Sequence, residues 1–346
     1  MGSEKPHVIV IGDVMLDVTT SGTVSGVSPE HDHVLVLKDE GTTYNLGGAA
    51  NVAANLAGLD RRVMLFGLVG DDTHGKIVQQ LCADNKIDAW LAAWPEHVTT
   101  VKHRFVTRSG QLMRLDREML VSPADNWFDE ALTQVTVAVE SCRPVIVFSD
   151  YNKGFLSERF VRAVLSFARL YHLTVLIDPP RDPRGWHKYS HNRAIFKCNL
   201  DEAIAFSGLE GTKLAKELRR YRPVDIEESH FQLFDTLYRK MAKDADISFE
   251  YVIITLGQYG AIFGTDTGLL TRMPPTTPRV LLDTTGAGDT FLAAMADWFV
   301  GASESDRDDI DGAVKRANLA ASLAVAYQGV YKLTTEDLGK AYQEKR

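Results

Sequence analysis

The sequence predicts an α/β fold: a three-layer α/β/α sandwich whose central sheet is mostly parallel, with a small β-sheet lid at one edge. Three observations predict it. Short β-branched runs without polar alternation recur along the chain, amphipathic helical stretches lie between them, and two segments break that rhythm with a period near two.

The first run, Val8-Ile9-Val10-Ile11, is closed by Gly12-Asp13 and has the pattern of a strand buried on both faces. Similar runs stand at Val63 to Leu68, Val145 to Phe148, Thr174 to Ile177 and Tyr251 to Thr255. Between them lie Lys76 to Leu81, Arg159 to Leu170 and Phe231 to Met241, each with apolar residues on one helical face. Strands that alternate with helices join by crossovers, which makes the sheet parallel. His33 to Lys38, and Val98 to Asp116 with its Ser109-Gly110 turn, instead alternate like solvent-facing strands and a hairpin. The chain therefore reads as one domain over residues 1–346, with lid segments at about 16–45 and 97–118 inserted into it. Residues 181–193, rich in Pro, Arg, His and Trp, read as a long surface loop, and 210–230 is a second long segment.

Composition narrows the function. Lys+Arg 38 against Asp+Glu 46 gives a net charge of -8, which disfavours sequence-independent nucleic-acid binding and leaves any anion site to a few placed groups. Cys82, Cys142 and Cys198 form no C-x-x-C pair, so neither a disulfide framework nor a zinc site is expected, and a reducing compartment is. No apolar run approaches the ~20 residues that span a bilayer, and Met1 to Pro6 is polar; a cytoplasmic protein without a membrane partner is expected.

The stretch that carries chemistry is Asp283-Thr284-Thr285-Gly286-Ala287-Gly288-Asp289-Thr290, followed by an apolar helix from Phe291 to Val300. Glycines at a loop-to-helix junction let an anion approach unpaired N–H groups, and the helix dipole adds positive potential, so Gly286, Ala287 and Gly288 form a candidate anion hole. The same pattern also suits a tight turn and a capped helix in which Asp289 only stabilises the first turn. No G-x-x-x-x-G-K-[ST] occurs, and Gly286-Ala287-Gly288 lacks the third glycine of a dinucleotide fingerprint. A carboxylate directly after the second glycine stands where an incoming hydroxyl would meet phosphorus, so Asp289 is the candidate general base. The helix terminus is expected to hold it ionised and weakly basic, which suffices for a loose phosphoryl transfer in which the hydroxyl proton leaves late.

With that stretch the sequence resembles the ribokinase-like (PfkB) carbohydrate kinases over almost its whole length. Gly12-Asp13-Val14-Met15-Leu16-Asp17 and Gly47-Gly48-Ala49-Ala50-Asn51 are similar to the family's sugar-side motifs. The resemblance implies that Asp17 and Asn51 bond sugar hydroxyls beside Gly47 and Gly48. Asn199-Leu200-Asp201-Glu202 is similar to its N-x-x-E motif, which implies that Glu202 helps to hold the Mg²⁺ carried by ATP, with Asn199 on the nucleotide side. Thr255-Leu256-Gly257 with Gly260 is similar to the loop around the nucleotide phosphates and ribose, and Asn318 lies where the family borders adenine. Each piece alone has a plainer reading: Asp17 as a turn residue, Asn51 near a helix cap, Glu202 on a solvated face. Their joint appearance in the family's order is what points to a kinase using ATP and Mg²⁺.

Within the family, Gly12 to Asp17, Ser28-Pro29-Glu30, Gly47 to Asn51, Leu112 to Asp116 and Ser149 to Gly154 resemble the kinases of D-glycero-β-D-manno-heptose 7-phosphate. That implies the anomeric hydroxyl of a sugar phosphate as acceptor. Lys102, Arg104 and Arg108 share parity on the expected lid strand, and Arg114 is on the returning one. They are candidates for clamping the sugar's phosphate, or for edge protection of an exposed strand. The sequence departs from those kinases in several places, among them the length of the segments at 181–193 and 210–230. His31-Asp32-His33 replaces a proline-containing run, Asp178-Pro179-Pro180 loses a basic group near the phosphates, and Lys197-Cys198 precedes Asn199. Bifunctional members carry a nucleotidyltransferase domain after the kinase; this chain is expected to hold the kinase alone. The alternatives are a kinase for an unphosphorylated pentose, hexose or nucleoside, and a non-catalytic sensor, whose mark would be loss of Asp289, Asn199 or Glu202. The exposed lid edges leave a homodimer through the lid open.

Overall fold

The computed structural model describes residues 7–120, 125–180, 182, 185–186, 189, 191–220, 228–243, 249–265, 270–276, 280–303 and 309–343. In chain order the elements begin with β1 (Val8–Gly12), β2 (Val14–Val27), β3 (Leu35–Gly48), α1 (Ala49–Gly58), β4 (Val63–Gly70), α2 (Thr73–Asp84), β5 (Asp88–Trp94), β6 (Thr100–Thr107) and β7 (Gly110–Arg117). Then come α3 (Asp125–Cys142), β8 (Val145–Ser149), α4 (Glu158–Leu170), β9 (Val175–Asp178), β10 (His191–Asn199), α5 (Leu200–Phe206), α6 (Lys213–Arg220) and α7 (Glu228–Lys243). The chain continues with β11 (Phe249–Thr255), β12 (Ala261–Gly264), β13 (Leu270–Met273), α8 (Ala287–Phe299), α9 (Ile310–Ala324) and α10 (Thr335–Gln343).

Two sheets result. The larger has nine strands in the order β13-β12-β11-β10-β9-β8-β1-β4-β5, parallel from β5 to β11, with β12 and β13 added antiparallel at one edge. Alternation along β1 sends Val8 and Val10 into the core beneath α1, α8 and α9, and Ile9 and Ile11 into the core beneath α3, α4 and α7. This is the expected three-layer sandwich, and the runs at Val8, Val63, Val145, Thr174 and Tyr251 are its buried strands. Helix starts follow local chemistry: Asp72 accepts from Gly75 N–H at the head of α2, and Ser157 from Phe160 N–H at the head of α4.

The smaller sheet, β3-β2-β6-β7, pairs β2 with β3 and β6 with β7 antiparallel, and β2 with β6 parallel. β6 and β7 are the expected hairpin. β3 starts at Leu35 rather than His33, because residues 32 and 33 turn the chain. β2 is rich in Thr, Ser and Gly, and polar cross-strand bonds hold part of it: Thr20 Oγ1 lies 2.8 Å from both Thr42 Oγ1 and His103 Nε2. Arg108 sits in the turn beyond β6, off the strand that carries Lys102 and Arg104. Of the segment expected as a surface loop, residues 181, 183–184, 187–188 and 190 lie outside the described residues. Trp186 is buried against Phe148, and His191 already begins β10. The second long segment holds α6 and the start of α7, with 221–227 outside the description.

Candidate active site

Gly286 is the N-cap of α8; its φ of 75° suits glycine and its missing side chain leaves room for Asn51, since a Cβ there would lie 2.8 Å from Asn51 Nδ2. No side chain among the described residues caps this helix start; Ala287 N–H bonds Thr284 O at 3.3 Å, which leaves the N–H groups of Gly286 and Gly288 for an anion. Asp289, in the first turn, is 5% exposed. Asn51 Nδ2 donates to one carboxylate oxygen at 2.8 Å and Tyr151 Oη to the other at 2.6 Å. Asn55 donates to Asn51 Oδ1 at 2.9 Å and so fixes which end of that amide faces Asp289. Burial pushes the Asp289 carboxyl up to about 6, against the pull of these two bonds. This corrects the expectation of a weak base: removal from water outweighs the helix terminus. The group remains mostly ionised at neutral pH and accepts a proton more readily than an exposed aspartate.

Asp17 is a strand residue of β2, not a turn residue, and is 5% exposed. Its carboxylate abuts Gly47, where a Cβ would lie 2.3 Å from Oδ2, and it is ion-paired with the buried Arg104 of β6. Gly48, at φ 57°, starts α1, the helix that carries Asn51. Lys102 is opposite Asp17 in register, and its ammonium lies 4.9 Å from the Tyr151 ring centre. Burial lowers the Lys102 pKa, while Asp17 and Asp289 work against that shift. Arg114 faces Arg104 across the hairpin and is held by both oxygens of Asp116, at 2.8 and 2.9 Å. The lid thus brings Lys102, Arg104 and Arg114 together, with the two arginines already on carboxylates.

On the other side of Asp289 a cavity of about 650 Å³ opens along the C-terminal ends of β9, β10 and β11. Asn199, Glu202, Thr255, Gly257, Gly286, Gly288 and Asp289 all line it. Asn199 and Glu202 cap α5 reciprocally: Asn199 Oδ1 accepts from Glu202 N–H at 3.0 Å, and Glu202 Oε2 from Asn199 N–H at 2.7 Å. One oxygen of Glu202 is left for the cavity, and burial pushes this carboxyl up to about 7. Gly260 is not in the lining; at φ 88° it closes the turn after Gly257, where a Cβ would strike Met273 O. Asn318, on α9, donates to Pro274 O at 2.8 Å and is also outside the lining.

Three residues escaped the sequence reading. Tyr151 lies in a loop with no periodic signal. Asp13, at the joint between the two sheets, accepts from the N–H groups of Tyr151, Lys153 and Phe155 and holds that loop. Lys197 lies two residues before the end of β10, and its Nζ is 2.8 Å from Asp178 Oδ2. The basic group missing at Pro180 is therefore matched by one on the neighbouring strand. The pairing of a missing and an added charge was the available signal, but it needed the register of β9 and β10 to be read.

Residues 5–337 match the family model described as pfkB family carbohydrate kinase. The chain is 32% identical over 342 residues to the D-beta-D-heptose 7-phosphate kinase of Bordetella bronchiseptica, covering 96% of this chain and 95% of that one. It is 31% identical over 346 residues to the bifunctional protein HldE of Campylobacter jejuni subsp. jejuni, covering 98% of this chain. It spans 65% of the length of that bifunctional relative. Among solved structures, Arabidopsis thaliana ribokinase complexed with ribose and ATP superposes with a TM-score of 0.68 at 18% identity, covering 98% of this chain and 99% of that one. Phosphofructokinase-2 from Escherichia coli, in complex with substrates and products, gives 0.71 at 17%, covering 97% and 99%. These two likenesses speak to the fold alone.

Proposed function

The chain belongs to the pfkB family of carbohydrate kinases, and from that membership and the geometry around Asp289 we propose that it transfers the γ-phosphoryl group of ATP to the anomeric hydroxyl of D-glycero-β-D-manno-heptose 7-phosphate. The observation that carries the reading is the seat of Asp289: a buried carboxylate at an uncapped helix start, with a cavity on one side and the lid charges on the other. The relative from Bordetella bronchiseptica, named as a heptose 7-phosphate kinase, supports the choice of sugar.

In this reading Asp17, Asn51, Gly47 and Gly48 border the sugar hydroxyls, and Lys102 and Arg114 meet the phosphate borne by the sugar. Arg104 acts through Asp17, which it holds in place. On the nucleotide side, Gly286 and Gly288 present N–H groups to the phosphates, and Ala287 N–H exchanges its bond to Thr284 O for one to them. Asn199, Thr255, Gly257, Gly260 and Asn318 form the surroundings of the rest of ATP. Asp289 takes the hydroxyl proton as the sugar oxygen attacks phosphorus, and ADP leaves. Alignment and fixed charge supply most of the rate.

The acidic cavity fits Mg²⁺ that arrives on the nucleotide. Among the described residues no cluster of three His, Cys, Asp or Glu side chains is placed to chelate a metal. Glu202 would hold it through its open oxygen. When bound, the ion neutralises phosphate charge. No helix among the described residues is long and apolar enough to cross a membrane. Leu35, Tyr44, Met113 and Leu115 are exposed on the two edge strands of the lid and support a homodimer through it.

A second reading is a kinase for an unphosphorylated sugar, favoured by the carboxylates already occupying Arg104 and Arg114. Purified protein offered a panel of sugars and sugar phosphates with ATP and Mg²⁺, read as ADP release, decides between them. Preference for heptose 7-phosphate supports the first. Faster turnover of a neutral pentose, hexose or nucleoside replaces it with the second, and no turnover of any sugar overturns both.

A further inference from the structure

Lys197 occupies a position where a strand flanked on both sides ordinarily carries an apolar residue. β10 lies between β9 and β11; Phe196 and Cys198 are fully buried in the core beneath α4 and α7, and Lys197 itself is 6% exposed. Alternation puts Lys197 on the face of Ile195, which packs in the core beneath α8. Asp178, at the end of β9, shares that face with Leu176. The ammonium and carboxylate therefore meet at the C-terminal edge of the sheet, directly against the glycine turn that opens α8. A Cβ on Gly288 would lie 3.2 Å from Lys197 Nζ.

The surroundings keep this lysine charged. Burial works against the ammonium, but Asp178, Glu202 and Asp289 outweigh it and hold its pKa above the ordinary lysine value. The hydrogen bond to Asp178 uses one of the three ammonium N–H groups. Arg219, the other basic side chain lining the cavity, is ion-paired with Asp201 at 2.6 Å. A buried ion pair contributes little to stability by itself, since desolvation offsets most of the attraction, and two apolar side chains would fill the same space. What this pair supplies is a fixed positive charge beside an anion-binding turn.

We propose that Lys197 is a catalytic residue of the phosphoryl transfer, its ammonium contacting an oxygen of the transferred group at the Gly286–Gly288 turn, with Asp178 as the positioning residue that holds it there. This rests on the kinase reading. In the transfer the bond from the γ-phosphorus to the β,γ-bridging oxygen breaks and its electrons leave with ADP. The bond from the sugar oxygen to phosphorus forms, and the hydroxyl proton passes to Asp289. Lys197 gives up no proton; it offsets charge on the moving group, where a preformed donor in a water-poor site acts most strongly.

The test uses the full chain. With ATP, Mg²⁺ and heptose 7-phosphate, Lys197→Met should lower kcat about a hundredfold or more while the KM for ATP changes less than about threefold. Methionine leaves Asp178 buried without its partner, so Lys197→Met combined with Asp178→Asn removes both charges and preserves the shape. The double variant should melt no lower than the single variant and be as slow. A folded double variant with kcat within about threefold of the parent overturns the proposal. A second readout does not depend on turnover: ADP, Mg²⁺ and aluminium fluoride imitate the transferred group, and the complex is followed by fluorine NMR. The parent should form it and both variants should lose it, while calorimetry finds ADP alone bound comparably by all three. Retention of the aluminium fluoride complex in the double variant overturns the role of Lys197. Failure of the parent to phosphorylate any sugar overturns the substrate reading and leaves the fluoride complex to decide Lys197.

Discussion

The lid side of Asp289 and its cavity side handle charge in opposite ways. Toward the lid, polar groups already have partners: Arg104 is on Asp17, Arg114 on Asp116, and both oxygens of Asp289 accept from Asn51 and Tyr151. Toward the cavity, carboxyls outnumber cations: Asp150, Asp178, Asp201, Glu202 and Asp289 line it with Lys197 and Arg219, and burial pushes Asp150 up to about 6 and Glu202 up to about 7. A sugar entering from the lid exchanges one set of hydrogen bonds for another, so that side is shaped before it is filled. The cavity side instead carries an excess of acidic groups that only the metal arriving with the nucleotide would offset. Substitutions on the lid side should therefore act on sugar recognition and on the state of Asp289, and those on the cavity side on the demand for metal.

The largest effect is expected where the two sides meet. Asp289→Asn should lower kcat by about a hundredfold or more while nucleotide affinity changes much less, as measured by steady-state kinetics and calorimetry. The same substitution should stabilise the fold at alkaline pH. A carboxyl whose folded pKa is raised contributes stability below its ordinary value of 3.8, and loses it as pH rises through about 6. At about 1.36 kcal/mol per pKa unit, the neutral variant gains at most ~3 kcal/mol at pH 8. Its melting temperature should exceed the parent's there, with the gap closing toward pH 4. Parent-like turnover ends the assignment of Asp289 as the base.

Next in size is the lid. Lys102→Ala should raise the KM for the sugar phosphate roughly ten- to a hundredfold, the loss of a charge-assisted bond of about 1.5–3 kcal/mol, and leave a non-phosphorylated analogue nearly unaffected. Arg104→Ala frees the buried Asp17 carboxylate and should weaken both sugars alike, which separates a clamp from a support. If Lys102→Ala handles the sugar phosphate as the parent does, the lid charges protect an edge and the acceptor is a neutral sugar.

Tyr151→Phe is expected to be milder. It removes a donor that lowers the Asp289 pKa, so the acid limb of the kcat/KM profile, near 6 in the parent, should move to higher pH. Loss of one hydrogen bond of about 0.5–1.5 kcal/mol corresponds to a several-fold effect at neutral pH. Lys197 and Asp178 also act on Asp289 and are unchanged in this variant, so an unmoved limb would assign the titration to another group.

The smallest effect should be Glu202→Gln. Glutamine still accepts from Asn199 N–H, so the α5 cap and the melting temperature are retained, while the Mg²⁺ concentration for half-maximal rate rises several-fold. An unchanged metal titration would leave Glu202 as a cap only.

Much of this was legible in sequence where one physical cause dominates. Val8 to Ile11 reads as a buried strand because both faces of β1 meet helices, and the glycines at 286 and 288 mark a turn because Asn51 and Lys197 approach them closely. β2 was obscured because threonine and serine pair across it with other polar groups, so its sequence lacks the apolar alternation that identifies a strand. Asp17 and Asn51 were found through the motifs around them, but not their partners. Arg104, Tyr151 and Asp289 are 87, 138 and 238 residues from the groups they bond, and nothing local in the chain records such distances. The Asp289 pKa was misjudged for the same reason: the dipole is a property of its own helix, whereas its burial comes from the whole assembly.

Asp13 has a consequence for how the molecule opens and closes. Its carboxylate accepts from the N–H groups of Tyr151, Lys153 and Phe155 at 2.8, 3.0 and 3.3 Å, while its own N–H bonds Ser149 O and its carbonyl accepts from Ala49 at the head of α1. The segment from 151 to 155 has no regular secondary structure, yet its amides are tied to the joint between the two sheets. In deuterium exchange those three N–H groups should therefore follow the slow opening of β1 and β8, not the fast fraying of a surface loop. The hydroxyl that touches Asp289 then rides on one of the slowest-exchanging parts of the chain, although by shape it belongs to a loop.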